Sequence, residues 1–195
     1  MCNGAFLRKS LIALIAIALL VYAPLVAIRI LYPLRFTGLV AGWARERSLD
    51  PALVAAVIRA ESRFHPDAVS PRGAIGLMQI TPLTGRWIAG KLGVSNFTPT
   101  DLYDPETNVR FGTWYLGYLL DRFGEMETAL RAYNAGPGTV AGWGSDPGGV
   151  YPETSAYVKR VIDALFIYRL YFRLPFLIRI IPSLGLSVAE RRSVG

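Results

Sequence analysis

Residues 50–84 read D-P-A-L-V-A-A-V-I-R-A-E-S-R-F-H-P-D-A-V-S-P-R-G-A-I-G-L-M-Q-I-T-P-L-T. Asp50 can cap a helix whose first turn accepts Pro51, where a missing N–H costs nothing. Val54, Ile58 and Glu61 recur at i, i+4 and i+7, so they share one face. An ionisable carboxyl therefore sits on the apolar stripe, near the end of the helix. Removal from water disfavours the charged form and raises the pKa. A carboxylic acid still protonated near neutral pH can act as a general acid. A plainer reading stands beside this one: a helix-end glutamate hydrogen-bonded to nearby backbone. Beyond Glu61, Pro66, Pro71 and Gly73 forbid a continued helix. Gly73 and Gly76 permit close backbone approach or positive φ. Gln79, between Met78 and Ile80, either satisfies buried backbone groups or reads the amides and hydroxyls of a ligand.

The rest of the chain narrows the class. A length of 195 residues favours one domain. The net charge of +7 is unevenly spread. Residues 1–47 carry +5, residues 48–158 carry −3 and residues 159–195 carry +5. Basic charge thus flanks the apolar ends, which fits attraction to a membrane surface. It argues against nucleic acid as a partner, since that would need a basic patch within the folded part. With one cysteine, Cys2, and one histidine, His65, neither an internal disulfide nor a Cys/His metal cluster can be built. Cys2 precedes the apolar run, whereas a lipoprotein cysteine would follow it.

Arg8 and Lys9 lead into an uncharged apolar run over residues 11–28, long enough for a transmembrane helix and lacking a clear cleavage site. An uncleaved signal anchor is favoured over a cleaved signal peptide. Arginines on both sides of the run leave its orientation open. Helices are expected from Phe36 through Trp43 to Arg47, over 50–62, over 81–91 with Thr81 as cap, over 105–123, over 125–134 and over 153–170. Gly136-Pro137-Gly138 reads as a helix stop. Residues 142–149 read as a mobile Gly-rich loop whose Trp143 either stacks on a sugar or plugs the core. No alternating strand pattern appears, so the fold class is all-α. Apolar residues from Val161 on are interrupted by Arg169, Arg173 and Arg179, which suits an interfacial amphipathic segment better than a second span. Packing against a partner membrane protein is the other reading of that segment.

Four blocks in order carry a resemblance: E-S-R-F-H-P-D-A-V-S at 61–70, G-A-I-G-L-M-Q-I-T-P at 73–82, A-Y-N-A-G-P-G at 132–138 and E-T-S-A-Y-V at 153–158. Together they resemble the soluble lytic transglycosylase family, relatives of goose-type lysozyme, over roughly residues 36–168. The resemblance implies a lysozyme-like helical domain that cleaves the MurNAc-β-1,4-GlcNAc bond of peptidoglycan without water. Glu61 would be the catalytic acid, then the base. Ser70, Met78, Gln79, Tyr133, Asn134 and Tyr157 would be substrate-binding, with plain core packing an equal reading for Met78. No metal and no organic cofactor is implied. Nothing in the spacing nominates a second carboxyl: Asp67, Asp101, Asp104, Glu106, Asp121, Glu125, Glu127 and Asp146 fall in turns or on polar helix faces.

The expected organisation is an anchor over 1–33, a lysozyme-like transglycosylase domain over 36–168 and an amphipathic membrane-interfacial tail over 169–195. Expected partners are peptidoglycan glycan strands, inner-membrane lipid and envelope or secretion-system proteins. The family's substrate would place the domain on the periplasmic side of a bacterial inner membrane. Two alternatives remain: a hydrolytic muramidase of lysozyme type, and a non-catalytic wall-binding module.

Overall fold

The computed structural model of the chain describes residues 4–143 and 151–174. Its elements are α1 (Gly4–Leu31), α2 (Thr37–Glu46), α3 (Pro51–Glu61), α4 (Pro82–Leu92), a 3-10 turn (Pro99–Tyr103), α5 (Pro105–Phe123), α6 (Met126–Ala135), α7 (Pro137–Trp143) and α8 (Pro152–Arg173). Among the described residues no strand forms. Two isolated antiparallel bridges, Val69 with Ile75 and Ile75 with Ile80, are the only sheet-like pairing there. The all-α expectation holds.

Helix boundaries follow the capping chemistry. The Asp50 carboxylate accepts from the Ala52 N–H at 2.9 Å, and Pro51 takes the first position of α3. Thr81 Oγ1 accepts from the Thr84 N–H at 3.1 Å ahead of Pro82. Asp104 accepts from the Thr107 N–H at 2.9 Å ahead of Pro105. Glu125 caps α6 by accepting from the Glu127 and Thr128 N–H groups. Gly93 and Gly124 close α4 and α5 in the left-handed conformation that ends a helix without steric cost.

One helix is surrounded. Every residue from Ala52 to Ile58 in α3 is buried, so the single stripe expected from Val54 and Ile58 is widened to burial all round. α8 packs along α3 most extensively, and α2 adds a second contact. Tyr157 and Tyr168 of α8 are among the largest fully buried side chains. Each large apolar side chain removed from water contributes about 1.5–3 kcal/mol. The last residue of α3 is thereby fixed in place by the most heavily buried helix of the domain.

Three boundaries differ from expectation. α1 extends beyond the apolar run at both ends, and its last turn joins the domain, with Ile28 and Tyr32 packed against the core. Gly136, at φ 91°, does stop α6, but Pro137 then starts α7, because proline suits the first position of a helix as well as it breaks an interior. Gly142 and Trp143 therefore belong to α7, while 144–149 of the expected loop lie outside the described residues. α8 continues to Arg173, so residues 169–173 of the expected tail extend the last helix. Residues 175–195 lie outside the described residues.

Candidate active site

Glu61 ends α3 and opens onto a groove of about 580 Å³, whose lining includes Arg63, His65, Asp67, Ser70 and Gln79. The chain turns sharply here because Arg63 and Phe64 both take left-handed φ, 53° and 64°. Such geometry costs a non-glycine residue free energy and persists only when its surroundings fix it. Two contacts do so. Phe64 is fully buried and meets the Tyr168 ring at 6.0 Å. Ser62 Oγ donates to the Leu77 carbonyl at 2.8 Å, tying the end of α3 to the far side of the loop.

The Glu61 carboxyl is pushed up from the ordinary 4.5 to about 7. Burial is the main cause, opposed by the Tyr157 hydroxyl and then by the Arg160 charge. Tyr157 Oη is buried and has no hydrogen-bond partner of good geometry. Its effect on Glu61 nevertheless places it beside the carboxyl. Arg160, on the exposed side of α8, lies over the Tyr157 ring at 6.0 Å. Tyr133 is close enough for Glu61 to raise the pKa of its phenol, after burial. Its hydroxyl donates to the Met78 carbonyl at 2.8 Å. A carboxyl that titrates about neutrality can give up a proton and take one back under one set of conditions.

The floor is the loop from Ala68 to Ile80. Ile75 and Ile80 exchange backbone hydrogen bonds at 3.0 and 3.1 Å, and Gly76 N–H reaches the Ala68 carbonyl at 2.9 Å. Gln79 has a left-handed φ of 50°, and its side-chain amide donates to the Ala68 and Gly76 carbonyls at 3.0 and 2.9 Å. That leaves the Gln79 amide oxygen for the groove. Ser70 Oγ accepts from the Ala74 N–H at 3.0 Å, which leaves its hydroxyl hydrogen for a ligand. Met78 is fully buried, and a Cβ on Gly112 of α5 would strike its side chain. Met78 thus supports the floor from beneath, and its carbonyl, not its thioether, meets a site residue. Tyr157 faces Glu61 from the core side, and Asn134 is half-buried on α6 next to Tyr133.

Residues without an assigned role in the sequence reading complete the site. Asn108 is fully buried on α5. Its carbonyl oxygen accepts from Met78 N–H at 2.7 Å, and its amide donates to the Ile75 and Leu102 carbonyls, both at 2.8 Å. A Cβ on Gly76, at φ 82°, would collide with this same side chain and with the Leu102 carbonyl. The available signal was a polar residue at 108 on a stripe that continues through Gly112 and Leu116. Asp67 is exposed in a turn, as expected, and it also lines the groove that holds Glu61.

Residues 38–153 match the family model of the transglycosylase SLT domain. The chain belongs to that family. It is 35% identical over 155 residues to a soluble lytic murein transglycosylase of Salmonella typhimurium, covering 73% of this chain and 23% of the relative. A membrane-bound lytic murein transglycosylase C of Actinobacillus pleuropneumoniae is 36% identical over 116 residues, covering 54% of this chain and 32% of the relative. Among solved structures, an inactive mutant of the lytic transglycosylase Slt from Pseudomonas aeruginosa superposes with a TM-score of 0.70 at 31% identity, covering 75% of this chain and 26% of that one. The chain thus spans about a quarter of the length of these soluble relatives. What the SLT family shares with it is the domain that holds Glu61, the loop floor and Tyr133.

Proposed function

We propose that the protein is a membrane-anchored lytic transglycosylase that cuts peptidoglycan glycan strands at the MurNAc-β-1,4-GlcNAc bond. The observation that carries this is one half-buried carboxyl, Glu61, at the edge of an open groove and pushed up to about 7 by its removal from water. Protonated Glu61 donates to the glycosidic oxygen as the bond from that oxygen to muramyl C1 breaks. The carbonyl oxygen of the substrate's own acetamido group bonds to C1 and stabilises the anomeric centre. Glu61, now a carboxylate, takes the proton from the muramyl C6 hydroxyl. O6 then attacks C1 and displaces the acetamido oxygen, leaving a 1,6-anhydromuramyl end and a protonated Glu61. No water enters the balance, and each proton step needs one group whose pKa lies near the working pH.

Ser70 and Gln79 supply the groove with a hydroxyl hydrogen and an amide oxygen suited to the acetamido and hydroxyl groups of the sugar. Tyr157 tunes the acidity of Glu61, Tyr133 stands near the carboxyl with its hydroxyl donated to the Met78 carbonyl, and Asn134 extends that wall. The stretch Arg8–Leu31 is long and apolar enough to cross a membrane. It would hold the enzyme in the inner membrane, with the domain in the periplasm where its substrate lies. Envelope or secretion-system proteins remain proposed partners.

A hydrolytic muramidase is the second reading, favoured by one observation. Asp67 lines the same groove and could activate a water. Digestion of purified wall glycan followed by mass spectrometry separates the two readings. Anhydro ends, lighter by one water, support transglycosylation, whereas reducing ends overturn it. If Glu61→Gln clears wall material as well as the parent, both enzymatic readings fail and a wall-binding module remains.

A further inference from the structure

The junction between α1 and the domain is held at every residue. Arg59 Nε donates to the Leu31 carbonyl at 2.6 Å, and its guanidinium lies 5.6 Å from the Tyr32 ring centre. The Tyr168 hydroxyl donates to the Pro33 carbonyl at 2.8 Å, and the Tyr32 and Tyr168 rings meet edge-on at 6.3 Å. Leu34 is in the core, Arg35 Nη1 donates to the Phe64 carbonyl at 3.5 Å, and Phe36 packs against the core. No slack chain separates α1 from α2.

The end of α8 comes down beside this junction. The Arg29 charge acts on the phenols of both Tyr168 and Tyr171. These turns of α8 therefore lie level with the last turn of α1. Their outer face carries Phe166, 72% exposed, Leu170, 41% exposed, and the exposed Arg173. The three fall at i, i+4 and i+7 on one stripe. Exposed aromatic and aliphatic side chains ending in arginine, beside the end of a span, match the chemistry of an anionic lipid surface. The span supplies the level: Arg8–Leu31 is 24 residues. At about 1.5 Å per residue this is about 36 Å, against a hydrocarbon core of about 30 Å.

We propose that the last turn of α1 and the Phe166–Leu170–Arg173 stripe form one rigid base seated on an anionic bilayer, which confines the groove to glycan strands still at the membrane surface. This rests on the transglycosylase reading above. Arg59 touches the end of α1 and precedes Glu61 by two residues on α3. A rise of about 3 Å and a helix width of about 10 Å then keep the catalytic carboxyl within roughly 20 Å of Leu31. While the stripe is seated, a strand beyond that reach cannot enter the groove, because no linker lets the domain swing outward; with the stripe unseated, tilt of α1 in the bilayer carries the groove away from the surface. The reaction that supplies such a substrate is polymerisation of glycan at the membrane, before the strand leaves its lipid carrier.

The test reconstitutes the full chain in vesicles containing phosphatidylglycerol. It compares uncrosslinked glycan strands lipid-linked in the same vesicles with the same strands freed of lipid. Cleavage of the linked strands is expected to be faster by about tenfold. Phe166→Glu/Leu170→Glu keeps α1 as anchor and should leave the rate on free strands unchanged while abolishing most of that preference. A parent without the preference, or a double variant that retains it, overturns the proposal. Retention by the double variant would mean that co-localisation through α1 is sufficient. A dye on Phe166→Cys, in a Cys2→Ser background, should be quenched by nitroxide-headgroup lipid, and an unquenched dye overturns the seating. If the parent cuts neither substrate, the transglycosylase reading fails, and dye quenching still decides the seating by itself.

Discussion

Replacing Glu61 by glutamine should abolish cleavage and make the protein more stable, but only above about pH 4.5. The sign follows from the raised pKa. The folded state holds the Glu61 proton up to about pH 7, whereas the ordinary value is 4.5. Below 4.5 the carboxyl is protonated in both folded and unfolded chains, so it has no effect on stability. Between 4.5 and 7 the unfolded chain ionises first and unfolding becomes progressively easier. Above 7 the full penalty is present. At about 1.4 kcal/mol per pH unit this amounts to about 3 kcal/mol, and the water-facing side of the groove leaves about 2 kcal/mol of it to be recovered. The amide has nearly the same shape, does not ionise, and its carbonyl can still accept from Tyr157. For a chain of this size about 2 kcal/mol corresponds to a Tm rise of about 4–8 °C. Far-ultraviolet circular dichroism melts of parent and variant in detergent, at about pH 4.5, 6 and 8, measure it. The difference should be close to zero at the lowest pH and grow through the other two. A constant difference across pH, or a variant less stable than the parent at about pH 8, would refute a half-buried, proton-holding Glu61.

Other outcomes follow from the same geometry. Tyr157→Phe removes the hydroxyl that holds the Glu61 pKa down, so the alkaline limb of the pH–rate profile, near pH 7 in the parent, should move upward by up to about one unit. A limb that stays in place or moves down would contradict that role. Asn108→Ala leaves Met78 N–H and the Ile75 and Leu102 carbonyls unpaired in the interior, at a cost of about 3–5 kcal/mol measurable by urea titration. Gly76→Ala forces a side chain into left-handed backbone and against Asn108, and should cost about 3 kcal/mol with a loss of activity through the displaced Gln79. Because the two positions collide with each other, the double variant should be less destabilised than the sum by about 1 kcal/mol, and strict additivity would show that they do not couple.

The placement of Asp67 connects the site to the choice between water and the C6 hydroxyl as nucleophile. An exposed carboxylate in the groove can hold water, whereas half-buried Glu61 acts on whatever oxygen reaches C1. Asp67→Asn therefore separates the two chemistries. Unchanged release of anhydro ends assigns the reaction to Glu61 and the sugar, and a selective loss of reducing ends would assign a water-activating role to Asp67.

Sequence by itself determined most of the helices, α7 excepted, and the position of the Glu61 carboxyl. Asp50-Pro51 and Thr81-Pro82 mark helix starts because a side-chain acceptor and a missing N–H are local matters. Val54, Ile58 and Glu61 fix the carboxyl on a buried face because helical period is local too. The four ordered blocks resemble the family whose domain model the chain matches over residues 38–153. Tertiary structure alone decided which groups meet across long separations. Asn108 reaches the floor 30 residues away, and Tyr133 donates to Met78 from 55 residues away. Tyr168 holds Pro33 across 135 residues. It also decided that Met78 lies under the floor, that Asp67 faces the groove and that α1 is tied to the domain. Periodicity gives the face a residue occupies, but the partner of that face is set by how whole helices pack, and hydrogen bonds between distant loops leave no repeat in the chain to be read.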